Sequence, residues 1–133
     1  MNDLDRRIEA FLSSPTFGVV GASNDRQKYG NKVLRVYLQN NRKAIPVNPK
    51  EKIVEDIETV ASVNDLPAEV ESISIITPPQ ITENIVKAAI AKGIKNIWMQ
   101  PGAESAAAIL ECEKNDINII AGGPCILVVL GFH

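Results

Sequence analysis

Gly21-Ala22-Ser23, set between the apolar run Phe17–Val20 and a helical pattern that begins near Gly30, has the residue types of an anion-binding turn. Where a strand passes into a helix through small residues, backbone N–H groups point outward and the helix dipole adds positive potential. Gly21 permits a tight turn, Ala22 keeps the surface low, and Ser23 can cap the next segment or donate its hydroxyl to an anion. The chemistry implied is phosphate binding. The spacing is Gly18-x-x-Gly21 with a distant Gly30, not the compact G-x-G-x-x-G of dinucleotide enzymes, so the segment alone also fits a bare strand-to-helix turn.

Basic and polar residues surround this turn. Asn24, Arg26 and Lys28 fall in the loop before the first long helix, where the two cations either contact phosphate or form a solvated charged loop. Tyr29 either lies against a nucleobase or plugs the helix start. Asn48, in Asn48-Pro49-Lys50, either meets ribose hydroxyls or ties down its own turn. Lys50 brings positive charge to a place where NAD dehydrogenases usually carry an acidic residue for the ribose, although Glu51 is adjacent.

Other chemistry is poorly supplied. The chain has 133 residues, and its single histidine is His133. Neither a zinc constellation nor a Ser/His/Asp triad can be assembled, and Cys112 and Cys125 have no metal-ligand spacing. Glu111 and Glu113 fall on positions of one helix that point apart, so they make no acid/base pair. We therefore expect no catalytic residues and no metal. Fourteen basic against sixteen acidic residues give a net charge of −2, which does not suit a nucleic-acid partner. The longest apolar run, Ile126–Leu130, is far short of a membrane span, and the mixed charges of the N-terminus do not suit a signal peptide. The expectation is a cytoplasmic protein of one domain, residues 1–133, without a membrane or nucleic-acid partner.

The elements that must hold these residues follow from periodicity. Leu4, Ile8, Phe11 and Leu12 share a helical face before Pro15. Strand-like runs at 17–20, 44–47, 73–76, 97–99 and 117–120 then alternate with helical patterns at 30–40, 80–92 and 104–114. Such alternation predicts an α/β fold: a three-layer, Rossmann-like, doubly wound sheet of about five parallel strands with helices on both faces. The stretch 51–69 fits neither period and is assigned a short helix or an edge strand. Each strand runs out into turn-forming residues: Gly21-Ala-Ser23, Asn48-Pro49-Lys50, Thr77-Pro78-Pro79, Gln100-Pro101-Gly102 and Gly122-Gly-Pro124. In an open parallel sheet these segments gather at the carboxyl edge, where ligands bind.

Val-Val-Gly21-Ala-Ser23 with Lys28-Tyr29-Gly30, then Pro46-Val-Asn-Pro49, Thr77-Pro-Pro79 and Trp98-Met-Gln-Pro-Gly102, occur in an order that resembles the small stand-alone CoA-binding domain family. That family is similar to the nucleotide-binding domain of the succinyl-CoA synthetase alpha subunit. The resemblance implies that coenzyme A is the cofactor, with Gly21, Ala22, Ser23 and the amides of the following residues on its pyrophosphate. It further implies that Lys50 serves the nucleotide and that Thr77, Pro78 and Pro79 lie beside the adenosine. Gln100 and Pro101 fall within the last of the matching motifs. The function implied is binding of CoA or acyl-CoA as carrier, sensor or regulator; the alternative is an oxidoreductase-like NAD(P)-binding protein. The synthetases also need a histidine loop in a second domain, for which 133 residues leave no room.

The chain departs from the family after its last strand. Ala121-Gly-Gly-Pro-Cys125 and the apolar run 126–132 stand where relatives carry a polar stretch. The tail is read as an extra strand, as cover for the sheet edge of a second subunit in a homodimer, or as a plain core segment. Cys125 is either a small packed residue or a group able to form a mixed disulfide with the CoA thiol. Cys112 is expected in the core.

Overall fold

The computed structural model describes residues 2–133. Helix α1 (Asp3–Leu12) opens with Asn2 as its cap, the Asn2 Oδ1 accepting from the Asp5 N–H at 2.7 Å. Strand β1 (Thr16–Val20) follows, then α2 (Tyr29–Gln39), β2 (Lys43–Val47), a two-stranded hairpin of β3 (Ile53–Val54) and β4 (Ile57–Glu58), and a short 3-10 turn (Val63–Asp65). The second half runs β5 (Ser72–Ile75), α3 (Pro79–Lys92), β6 (Asn96–Met99), α4 (Ala106–Lys114), β7 (Asn118–Ile120) and α5 (Ile126–Val129).

Five parallel strands form one sheet in the order β2-β1-β5-β6-β7. This is the α/β, Rossmann-like architecture expected from the alternation. Connections that keep one hand place successive helices on opposite faces once the strand order reverses. Phe11, Val33, Leu34, Tyr37 and Ile126 accordingly pack with Phe17, Val19 and Trp98 on one face. Val86, Ala89, Ala108 and Cys112 pack with Val20, Ile73, Ile75 and Ile97 on the other. The reversal lies between β1 and the central strand β5, around which a crevice opens at the carboxyl ends.

Aromatic residues are few, and those present are concentrated on the α2 face. Phe17 stacks on Tyr37 with centroids 4.7 Å apart, and Phe11 meets Trp98 edge-on at 5.3 Å. Each such pair contributes about 0.5–1.5 kcal/mol beyond its buried area. The Tyr37 hydroxyl, buried in this layer, is satisfied by the Ser74 hydroxyl at 2.6 Å.

Two stretches differ from the expectation. Residues 51–69 hold the β3–β4 hairpin and the 3-10 turn, and they are tied to the sheet by a parallel bridge between Val47 and Val60. Val54, Val63 and Leu66 are buried, so the stretch covers part of both cores. The apolar tail adds no strand. It forms the single turn of α5, with Ile126 fully buried and Leu127, Leu130 and Phe132 packed on the α2 layer. Polar contacts fasten it: Asn40 donates to the Leu130 carbonyl at 3.0 Å, and Gln39 donates to the His133 carbonyl at 2.6 Å. Four consecutive apolar residues can be buried by a strand or by a helical turn, and contact with α2 decides here.

Candidate functional site

The turn after β1 is held by backbone at every side. The Gly21 N–H donates to the Val47 carbonyl at 3.3 Å, and the Ile76 N–H donates to the Val20 carbonyl at 2.8 Å. Gly21 has φ +98°, and a Cβ there would run into the Ile76 carbonyl oxygen. A Cβ on Gly30 would in turn run into the Gly21 carbonyl oxygen. Two glycines therefore let the start of α2 press directly onto the turn. Lys28, at the N-cap of α2, gives the helix no side-chain cap. The Tyr29 and Gly30 amides, the first two of the helix, keep their donor capacity, and the positive end of the dipole faces the turn.

Neighbouring side chains fix the turn's carbonyls. Asn48 Nδ2 donates to the Ala22 carbonyl at 2.8 Å, while Asn48 Oδ1 accepts from the Lys50 and Glu51 N–H groups at 2.7 and 3.0 Å. Of its two sequence readings, the turn-tying one matches these bonds. Asn31, fully buried on α2, donates to the Ser23 carbonyl at 2.8 Å and accepts from Arg35 Nε at 2.7 Å. The Ser23 hydroxyl accepts from the Asp25 N–H at 3.0 Å, which leaves its own proton free to donate.

Three depressions run along the carboxyl edge. One of about 420 Å³ is lined by Gly21, Ala22, Ser23, Lys28, Tyr29, Gly30, Asn48 and Ile76. It shares Asn48 with a cavity of about 540 Å³ whose walls include Pro49, Lys50, Lys52 and Thr59. It shares Ile76 with one of about 240 Å³ lined by Thr77, Pro78, Pro101, Gly102 and Ala103. Together they form a track from the end of β2, across the end of β1, to the ends of β5 and β6.

Four residues expected at the site line none of these depressions. Asn24 donates instead to Glu51 Oε2 at 2.8 Å and to the Ile53 carbonyl at 2.9 Å. Arg26 pairs with Glu55 Oε2 at 3.3 Å. Pro79 is the first residue of α3, where its missing N–H costs nothing. Gln100 is fully buried behind Tyr29, its Oε1 accepting from the Tyr29 hydroxyl at 3.1 Å. Tyr29 thus plugs the helix start while one side of it lines the depression. Burial, and next its hydrogen bond to Cys125, holds the Tyr29 hydroxyl well above the ordinary tyrosine range, so it stays a neutral phenol.

Asn31 and Glu55 organise this region and were not among the candidates. Glu55 Oε2 accepts from Asn31 Nδ2 at 3.1 Å as well as from Arg26. The available signal was a polar residue, Asn31, three positions before Leu34 on the apolar face of α2. Among the described residues, no group of three or more His, Cys, Asp or Glu is placed to hold a metal ion. No described helix is long and apolar enough to cross a membrane.

Comparison with known proteins bears on this edge. Residues 15–131 match the family described as a CoA binding domain. The alpha subunit of the ADP-forming acetate–CoA ligase II of Pyrococcus furiosus is 29% identical over 91 residues, covering 68% of this chain and 20% of that subunit. The chain therefore spans about a fifth of the length of this curated relative. A conserved hypothetical protein from Pyrococcus furiosus, solved as a structure, is 35% identical with a TM-score of 0.82 over 86% of this chain and 97% of that one. A hypothetical protein from Pyrococcus horikoshii OT3 is 26% identical with a TM-score of 0.88, covering 96% and 89% respectively. Since the matched span takes in every strand of the sheet and the whole carboxyl-edge track, the chain belongs to the CoA-binding domain family.

Proposed function

We propose that this chain binds coenzyme A or an acyl-CoA along the carboxyl edge, residues 1–133 working as one binding unit that carries, senses or regulates and does not itself turn over a substrate. The observation that carries the reading is the uncapped start of α2 pressed onto Gly21 by paired glycines, in a chain of the CoA-binding domain family. Free helix amides and a serine hydroxyl are donors that suit a diphosphate. Gly21, Ala22, Ser23 and Gly30 take that role, with Lys28 beside them.

The adjoining cavities give the rest of the ligand somewhere to lie. Lys50, exposed on the rim of the 540 Å³ cavity, supplies the cation for the 3′-phosphate that distinguishes CoA from NAD. Thr77 and Pro78, which the resemblance sets beside the adenosine, form a low, mostly apolar wall on the other side of the turn; because adenine and the 3′-phosphate share one ribose, a nucleotide held at Lys50 leaves that wall to the pantetheine arm. Glu51, the acid nearest to a ribose-binding position, already accepts from Asn24.

Calorimetric titration with CoA, dephospho-CoA and NAD tests the reading. CoA is expected to bind about fivefold tighter than dephospho-CoA, the scale of one exposed ion pair, and Lys50→Ala is expected to erase that difference. Equal affinity for the two ligands in the unaltered chain would remove Lys50 from the site. Binding of NAD without binding of CoA would overturn the assignment.

A further inference from the structure

Behind the diphosphate turn sits a group that the binding role leaves unused. The Tyr29 hydroxyl lies 2.7 Å from Cys125 Sγ and 3.1 Å from Gln100 Oε1. Gln100 Oε1 also accepts from the Ile126 N–H at 3.0 Å, which settles which end of the amide is oxygen. Gln100 Nε2 is then left buried with no partner, in a residue that is fully buried. An orphaned N–H costs about 1–3 kcal/mol, so the cluster is short of one acceptor.

Proton positions show what the neighbouring sulfur can do. The single proton of Tyr29 goes to Gln100, so the contact with Cys125 is donated by the thiol. If the sulfur loses its proton, Tyr29 can turn its own proton toward the thiolate, and Gln100 Oε1 still keeps the Ile126 N–H. The cluster therefore accommodates a cysteine thiolate without orphaning an acceptor. Cys112 has no such arrangement: it is buried in α4, and burial pushes its thiol up to about 11. Cys125 is half-buried, and it follows the exposed glycines Gly122 and Gly123, both at positive φ. The Gln100 N–H would find its acceptor in the amide carbonyls of a pantetheine arm. That arm is flexible and longer than a tyrosine side chain, so it can double back past Tyr29 to the sulfur.

We propose that Cys125 is a thiol-capture site that takes one half of a CoA disulfide and holds it as a mixed disulfide. The inference rests on the CoA-binding reading above. In the step, the Cys125 thiolate, its proton released to solvent, attacks one sulfur of CoA–S–S–CoA. A Cys125–S–S–CoA bond forms, the original disulfide breaks, and the second CoA departs as a thiolate that takes a proton from solvent. One disulfide replaces another, so no further oxidant is needed.

Intact mass spectrometry of the full chain treated with CoA disulfide, and separately with oxidised glutathione, tests this. The expected result is one CoA adduct per chain, lost in Cys125→Ser, kept in Cys112→Ser, and formed about tenfold faster than the glutathione adduct because docking raises the local concentration. Tyr29→Phe is expected to slow capture while leaving the adduct on Cys125. Cys125→Ala, checked for its fold by circular dichroism, replaces the serine variant if that one does not fold. No adduct in a chain that binds reduced CoA by calorimetry would overturn this proposal alone, as would equal rates with both disulfides. Failure of both the unaltered chain and Cys125→Ser to bind reduced CoA would instead overturn the CoA-binding reading.

Discussion

At the residue scale, the site depends on an atom that is missing. Alanine is the better helix former by about 0.8–1 kcal/mol, so Gly30→Ala should stabilise α2 if propensity decided the matter. The added Cβ would meet the Gly21 carbonyl oxygen, and forcing atoms into a packed contact costs about 1–3 kcal/mol. The clash outweighs the gain in propensity. Gly30→Ala is therefore expected to lower the thermal midpoint and weaken CoA binding together, as read by melting curves and calorimetry. A variant that melts higher would show that the helix start has room. Gly21 was legible as a turn residue because it breaks an apolar run, and Gly30 as the start of the helical pattern that follows. Their mutual contact was not legible, since it depends on the angle at which α2 leaves the sheet. Tyr37 gives a second case. Burial holds its hydroxyl well above the ordinary tyrosine value near 10, although the Ser74 hydrogen bond opposes this. A raised value in the folded state means the unfolded chain ionises first. Stability from this group is thus complete below about pH 10 and lost as pH rises beyond it. Denaturant melts between neutral and alkaline pH are expected to show this decline, and Tyr37→Phe to flatten it; an unchanged slope in the variant would assign the loss to other groups.

At the scale of elements, the β3–β4 hairpin acts as a latch on the loop that precedes α2. Glu55 holds Arg26 and Asn31, while Glu51 and the Ile53 carbonyl hold Asn24. The Arg26–Glu55 pair is mostly solvent-exposed on the arginine side, so it contributes little to stability, about 0–1 kcal/mol. Its consequence is electrostatic: a carboxylate neutralises a cation in the loop between the Gly21 turn and α2. Glu55→Gln is expected to free Arg26 and tighten CoA binding about twofold to fivefold at low salt, with the gain fading as salt is added. Titrations at two ionic strengths check this, and weaker binding would show that the latch shapes the site more than it competes with ligand. The hairpin was not legible in the sequence. Its strands are only two residues long, and its turn places Glu55 and Asp56 at positive φ, where glycine or asparagine is the usual signal. The long helices were legible because each repeats its period over several residues, and the five strands as short apolar runs that alternate with them. The final Ile126–Val129 turn was not, because an unbroken apolar run carries no period.

At the scale of the whole molecule, the sheet order decides which residues can cooperate. Gly21, Asn48 and Thr77 are far apart in the chain, yet β1 lies between β2 and β5, and the three turns meet at one edge. Gathering of the turn-forming segments there was legible from the alternation of elements alone. Which of them share a depression was not, because it depends on side chains such as Asn24 and Arg26 turning toward the hairpin. The opposite, amino-terminal edge serves as an internal control: it carries its own depression, lined by Asp3, Arg7, Asp116 and Asn118. The most direct measurement is a map of backbone amide chemical shifts in isotopically labelled protein as CoA is added. The account predicts the largest changes at Gly21, Ala22, Ser23, Tyr29, Gly30 and Lys50, with the residues around Asp3 and Asp116 unmoved. Changes confined to the amino-terminal edge, or none at CoA concentrations that saturate the calorimetric signal, would contradict it.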